Sequence, residues 1–560
     1  MKHDLETTIA SAVRELYGLE TTIDLTRPDE QFGDYATNVA LQLAGQLTQS
    51  PRSVAEALAV KLRENSQRQI FEVTIAGPGF INLTLTDDAL MKSLTTPPNQ
   101  SWSGKVVVAE YSDPNPFKVL HAGHLYTSVV GDSIANLLEY AGANVHRVNF
   151  GGDVGLHVGK TMWAILQKLG GEYPEKLSAI APTERSEWMA EAYVAGTAAY
   201  EEDAAAKAAI IKLNKQVYEI QTEQDHDSGL AQIYWTCRGW SYDYFNAFYE
   251  RIGTHFEKYY PESETASIGL STVNEQLARG VYERSDGAVI FDGDKYGLHK
   301  RVFINSQGLP TYEAKDVGLI MRKWEDYHFD SSVIITGNDI IEYMKVVLKS
   351  VEQFMPELPA RTKHLTHGIV KLAGGSKMSS RKGNILRAVD VLEAAASANK
   401  AIANSDDERV TLGAVKYAFL KQRTGGDIIY SPTESVSLEG NSGPYLQYAH
   451  ARARSIVRKA GTMIADTDDL LAVELEPAER SLVRKIGEYN EVVDKAIDEL
   501  MPHLVCTYLY ELAQTFNRFY EHNRVLDDPR QGVRLSLVQA YSTRLHEGLG
   551  LLGIYAPEKM

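Results

Sequence analysis

Two short stretches, far apart in the chain, carry residue types suited to holding negative charge. His121-Ala122-Gly123-His124 follows an apolar run and a Pro-bounded turn, and Lys377-Met378-Ser379-Ser380-Arg381 lies downstream between Gly374-Gly375 and Gly383. Histidines three apart at a helix start face one point, where free backbone N–H groups and the helix dipole already favour an anion such as a phosphate. Gly123 leaves space where a side chain would block such a ligand. In the second stretch, cations beside glycine hinges can close over phosphates and absorb charge that builds on a departing pyrophosphate. Alone, the first stretch also fits a surface histidine pair and the second a solvated basic loop. Together, and in this order, they point to nucleotide chemistry.

Elements that would position these residues can be read around them. Lys105-Val106-Val107-Val108-Ala109 is a continuous apolar strand of the kind buried in a parallel sheet, and Asp113-Pro114-Asn115-Pro116 stops it. The next helix places Leu125, Val129, Ile134, Leu137 and Leu138 on one stripe and ends at Gly142 as its cap, after which Asn144 to Phe150 supplies another strand. In such a βαβ unit the strand end, loop and helix start converge where open α/β sheets bind ligands. Residues 160 to 260 read as a helical insertion, 280 to 292 as a hairpin, and 331 to 339 and 366 to 372 as buried strands. From 405 onward the pattern is helical. Residues 1 to 100 form an α+β unit with helices near 5 to 17 and 35 to 47 and two strands in Phe71 to Leu85 around Gly77-Pro78-Gly79, and the stretch 95 to 104 reads as a linker. The expected architecture is a Rossmann-like parallel α/β domain (104–400), an α+β domain before it (1–100) and an all-α domain after it (405–560).

A chain of 560 residues exceeds what one core supports, and its 44% hydrophobic and 23% charged residues are an ordinary globular balance. No run approaches the ~20 apolar residues that cross a bilayer, and the acidic, amphipathic start lacks a signal-peptide core. Cys237 and Cys506 are too few for a disulfide framework or a zinc site, so a reducing cytoplasm and no structural metal are expected. A formal charge of −17 argues against coating nucleic acid nonspecifically, yet the basic run His450 to Ala460 allows a local RNA patch.

The paired motifs resemble the HIGH and KMSKS signatures of class I aminoacyl-tRNA synthetases. Ser380 replaces the second lysine of KMSKS, and Lys118 stands three residues before His121. Arginyl-tRNA synthetases show the same combination, in which Lys118 would compensate from the opposite side. Thr311-Tyr312-Glu313-Ala314-Lys315-Asp316-Val317-Gly318 resembles that family's arginine-pocket helix, and Glu439 to Arg452, reading EGNSGPYLQYAHAR, resembles the opening of its anticodon-binding domain. The chain order and the ending GLGLLGIYAPEKM are also similar. On these residues the chain is identified as a member of the arginyl-tRNA synthetases. A noncatalytic RNA-binding relative would have damaged ATP motifs, and a small-molecule adenylating enzyme would have no use for the helical tail.

The resemblance implies ATP-dependent activation of L-arginine with Mg²⁺, transfer of the arginyl group to the 2′-hydroxyl of its tRNA's terminal adenosine, activation only with tRNA bound, and a monomeric enzyme with no editing domain. It implies catalytic roles for Lys118, His121, His124 and Lys377. ATP contacts would come from His121, Gly123, His124, His367, Gly368, Val370, Lys377, Met378, Ser379 and Arg381. Glu110, Asn115, Tyr312 and Asp316 would bind arginine, since a guanidinium fork asks for carboxylates. Many relatives carry a Gln in the segment that here reads Thr336 to Ile341, and none is present. Gly33 to Asn38 resembles the loop that touches the tRNA elbow, with Asn38 as contact and Asp34 as the alternative helix cap. Tyr445, Gln447, Tyr448 and Arg452 would meet the anticodon by stacking or hydrogen bonding.

Overall fold

The computed structural model describes residues 1–65, 69–373, 386–461 and 474–560. Its amino-terminal unit contains α1 (Lys2–Tyr17), β1 (Tyr35–Thr37), α2 (Val39–Leu47), α3 (Pro51–Asn65), β2 (Ile70–Ala76), β3 (Phe80–Leu85) and α4 (Asp87–Ser93), with the strands in the antiparallel order β1-β3-β2. The helix expected from 35 begins only at Val39. Tyr35 to Thr37 are instead buried and paired with Ile81 to Leu83, because the sheet needs an edge there. Asp34 does not cap a helix either. It accepts a hydrogen bond from Leu85 N at 2.7 Å and pairs with Arg480 at 2.6 Å, tying this unit to the carboxy-terminal helices.

The central unit runs through β4 (Val106–Glu110), α5 (Ala122–Tyr140), β5 (Asn144–Gly151), α6 (Leu156–Leu169), α7 (Arg185–Glu202), α8 (Ala204–Glu223), α9 (Gly229–Ile252), β6 (Lys258–Pro261), α10 (Glu262–Ala278), β7 (Glu283–Ser285), β8 (Ala288–Phe291), β9 (Arg301–Ile304), α11 (Tyr312–Tyr327), β10 (Ser331–Gly337), α12 (Ile341–Glu352), α13 (Glu357–Arg361), β11 (Thr362–His367) and β12 (Val370–Leu372). Five strands form a wholly parallel sheet in the order β11-β10-β4-β5-β6. Val107, Val108, Ala109, Val333 and Ile335 are buried, as strands covered on both faces must be. The chain order reverses between β4 and β10, so a crevice opens beyond their carboxyl ends. The expected strand 366–372 is broken at Gly368-Ile369. β12 leaves the parallel sheet and pairs with β13 (Ile428–Tyr430), since a Cβ at Gly368 would stand 2.5 Å from Asp427 N and only glycine lets the two backbones approach there.

Helices α6 to α9 form their own apolar core, into which Phe117 of the β4–α5 loop inserts, its ring 5.7 Å from that of Tyr234. The helical region continues with α14 (Ala388–Ala403), α15 (Glu408–Leu420), α16 (Pro432–Ser435), α17 (Gly443–Ala460), α18 (Pro477–Gly487), α19 (Tyr489–Glu499), α20 (His503–His522) and α21 (Gln531–Leu551). Ser133 on α5 donates to Leu551 O at 2.9 Å, and α5 is buried along nearly its whole length. Among the described residues no helix is long and apolar enough to cross a membrane.

Candidate active site

A cavity of about 830 Å³ lies at the topological switch point. Glu110, Ser112, Asp113 and Asn115 line it from the end of β4, Thr336 to Ile340 from the end of β10, His121, Gly123 and His124 from the start of α5, and Tyr312 and Asp316 from α11. His367, Gly368, Ile369 and Asp427 close another side. The carboxyl ends of the two central strands thus bring together residues that the sequence scatters over more than two hundred positions.

At the first motif the two histidines cap α5. His121 Nδ1 accepts from Gly123 N at 3.1 Å, and His124 Nδ1 accepts from His121 N at 3.2 Å. A backbone N–H can only donate, so each Nδ1 is an acceptor and each neutral ring carries its proton on Nε2. Burial, then neighbouring positive charge, lowers both pKa values, that of His124 well below the usual histidine range. The rings therefore offer neutral N–H donors, not cations. A Cβ at Gly123 would stand 2.8 Å from the His121 ring, so the space this glycine leaves is filled by that imidazole. His367 Nε2 lies 2.6 Å from Thr127 Oγ1, which fixes a third imidazole at the rim.

The opposite end of the cavity is acidic. Glu110 is ion-paired with the buried Lys323 of α11, a partner the sequence reading did not include, so its charge is compensated before any ligand arrives. Asp316 accepts a hydrogen bond from Tyr343 Oη, and Asp113 accepts one from Phe150 N at 2.8 Å. Neither carboxylate forms an ion pair among the described residues. Burial, opposed by the Tyr343 hydrogen bond and reinforced by Glu110, pushes Asp316 up to about 7, while burial and the charge of Glu110 raise Asp113 well above the carboxylate range. Such a site is poised for a cation. Asn115 Oδ1 accepts from Gly152 N at 2.8 Å, and Tyr312 is 58% exposed at the mouth.

Other expected residues lie elsewhere. Lys377, Met378, Ser379 and Arg381 fall outside the described residues. Val370 packs into the core, and Ile369 beside it is the residue on the cavity wall. Lys118 stands just behind the wall: its charge bears on both His121 and His124, and its ammonium sits 4.8 Å from the centre of the Tyr193 ring on α7. Gln447 is a correction: it is fully buried, and its amide donates to Tyr555 O at 2.8 Å and Arg409 O at 3.2 Å, so it cannot meet an anticodon base from this position. Tyr445 Oη accepts from Asn517, Tyr448 is exposed, Arg452 lies over the Tyr520 ring and Asn38 is exposed at the start of α2. Within the basic run, Arg454 and Arg458 are paired with Glu558. Sequence reasoning missed Asp113, Tyr343 and Arg301. Asp113 reads as a strand stop, and no motif in the sequence marks Tyr343 or Arg301, so only the fold reveals them.

Comparison with known proteins agrees with this geometry. The model of the arginyl tRNA synthetase N terminal domain matches residues 3–85, that of the class I (R) tRNA synthetase catalytic domain residues 86–431, and that of the DALR anticodon binding domain residues 446–560. The chain belongs to the arginyl-tRNA synthetase family. An arginine–tRNA ligase of Porphyromonas gingivalis is 30% identical over 99% of both chains, and one of Synechococcus elongatus is 32% identical over 95% of this chain and 94% of that one. The solved arginyl-tRNA synthetase of Thermus thermophilus superposes with a TM-score of 0.81 at 26% identity, covering 100% of both chains.

Proposed function

We propose that this chain ligates L-arginine to its cognate tRNA through an arginyl adenylate, releasing AMP and pyrophosphate. The observation that carries the reading is the polarity of one cavity: two carboxylates that have no ion-pair partner among the described residues at one end, and the neutral imidazole donors of a nucleotide-binding helix start at the other. Asp316, with Asp113 beside it, receives the guanidinium, and Asn115 and Tyr312 orient the substrate. The arginine carboxylate oxygen then forms a bond to the α-phosphorus of ATP as the bond to the bridging oxygen breaks and pyrophosphate leaves. His121 and His124 donate Nε2–H to phosphate oxygens, and Lys118 supplies positive charge to the leaving group. In the second step the 2′-hydroxyl oxygen of the tRNA bonds to the arginyl carbonyl carbon as that carbon's bond to the adenylate oxygen breaks, and AMP departs with the hydroxyl proton on its phosphate. Preorganised donors and positioning supply the catalysis, with no covalent enzyme intermediate.

Mg²⁺ screens phosphate charge when it accompanies ATP. Among the described residues no group of three or more His, Cys, Asp or Glu side chains is gathered as metal ligands, so no residue of this chain is assigned to the ion and no step is routed through it. The enzyme is proposed to work as a cytoplasmic monomer, with Asn38, Tyr445, Tyr448 and Arg452 on its tRNA-facing side. ATP–pyrophosphate exchange and tRNA charging, each run across the amino acids with tRNA present, test the reading. Arginine alone should support both; support by another amino acid in place of arginine overturns it.

A further inference from the structure

Lys118 carries the charge proposed for the leaving pyrophosphate, yet no acid among the described residues holds it. Among the described residues Lys118 forms no ion pair, and its Nζ stands 4.8 Å from the centre of the half-buried Tyr193 ring. The nearby acid Glu262 is committed to Lys315, 2.5 Å away. A carboxylate partner would neutralise the charge that Lys118 must present and would compete with the phosphates for it. An aromatic face attracts the ammonium through its quadrupole while leaving the full positive charge available.

Tyr193 belongs to α7, which the helical insertion fixes firmly. At Gly196, one turn beyond Tyr193, a Cβ would lie 2.0 Å from Lys160 O, so the backbones of α6 and α7 touch there. Lys168 on α6 pairs with Glu191 at 2.9 Å. Nearer its start, α7 presents Glu187 to Arg387 at 2.8 Å. Arg387 forms an antiparallel bridge with His121, flanked by hydrogen bonds from Ala122 N to Leu386 O and from Ala388 N to Leu120 O. One insertion helix thus reaches the first motif twice, directly at Lys118 and through Arg387 at His121.

From this geometry we propose that Tyr193 is a positioning residue for adenylate formation: its ring holds the Lys118 ammonium beside the phosphate site, which makes α7 part of the catalytic apparatus. The inference rests on the reading of Lys118 given above. Its test is tRNA-supported, arginine-dependent ATP–pyrophosphate exchange in Tyr193→Phe, Tyr193→Leu, Lys118→Ala and the Tyr193→Leu/Lys118→Ala double variant, with thermal melting of each. Tyr193→Phe keeps the ring face and should retain near-normal kcat. Tyr193→Leu should lower kcat roughly three- to thirtyfold, the range of a cation–π contact, with little change in the KM for arginine. In the Lys118→Ala background the same leucine substitution should cost nothing further, because the partner it acts through is gone. A Tyr193→Leu enzyme with unchanged kcat, a Tyr193→Phe enzyme as slow as Tyr193→Leu, or an undiminished leucine effect without Lys118 each overturns the inference. A wild-type enzyme that fails to use arginine would sink the functional reading instead, so the two failures are distinguishable.

Discussion

Asp316 is a carboxylate that accepts a hydrogen bond from Tyr343 and faces the cavity without an ion-pair partner among the described residues. The resemblance of its helix to the family's arginine pocket made it a candidate cation ligand, but its surroundings were not visible: Glu110 and Asp113 reach it from the end of β4 and Tyr343 from α12. Burial first, and Glu110 among the later causes, raises its pKa to about 7. A guanidinium stays charged throughout the accessible pH range, so it binds the ionised carboxylate and must otherwise displace a proton. The KM for arginine should therefore fall as pH rises towards 7 and level off above it, rising up to about tenfold per unit on the acid side. The stability of the ligand-free enzyme has the opposite sign. A carboxyl whose folded pKa is raised stabilises the fold below its unfolded value and loses that contribution as pH rises through about 7, so arginine should raise the melting temperature more at pH 8 than at pH 6. Asp316→Asn should flatten the pH profile of the KM for arginine and raise that KM far more than the KM for ATP. Equal effects on both substrates would make Asp316 structural.

Among elements, the buried parallel strands were the most legible, because a strand covered on both faces is mostly apolar and runs such as Val106 to Ala109 and Val333 to Ile335 have few other uses. Helix α3 escaped despite its signals: Ser50 Oγ caps Ser53 N at 3.1 Å and Pro51 stands at the first helical position, a local pattern lost beside the longer stripes around it. Strand β9 and the short pairing of β12 with β13 were illegible for a different reason, since three or four residues carry too little periodicity to mark them. The packing of α10 against α11 was equally hidden. A Cβ at Gly269 would lie 1.8 Å from Ala314 O, and one at Gly318 would lie 2.1 Å from Thr265 O, so the helix bearing Tyr312 and Asp316 is held by backbone contact. Gly269→Ala must push α11 outward, because backbone cannot yield as a flexible side chain would. The variant should lose about 1–3 kcal/mol of stability and raise the KM for arginine with a smaller effect on that for ATP. Denaturant unfolding and steady-state kinetics check both parts, and unchanged stability would show that the two helices separate at no cost.

Across the whole molecule, chain order foretold the kinds of domain but not how they grip one another, because contacts such as Ser133 to Leu551 join residues 418 apart and leave no pattern in sequence. The amino-terminal unit is bound to the helical region by Arg480 and Arg484 on Asp34 and by Arg27 on Glu491. The signature helix α5 is bound to it as well. Tyr126 packs edge-on to Phe419, Tyr140 to Tyr489, and Lys416 Nζ donates to Gly553 O at 2.6 Å beneath them. The helix whose first turn carries His121 and His124 therefore lies between the sheet and the helices proposed to receive the anticodon. A tRNA that shifts those helices works on α5 directly, and the phosphate donors at its start gain or lose their geometry with it. Arginine-dependent ATP–pyrophosphate exchange should be weak with arginine and ATP alone, rise when cognate tRNA is added, and stay low with noncognate tRNA. A tRNA shortened to its acceptor arm lacks the anticodon proposed to engage those helices and should restore little. Full exchange without any tRNA would show that α5 is already in its working position, and would break the coupling while leaving the ligase reaction intact.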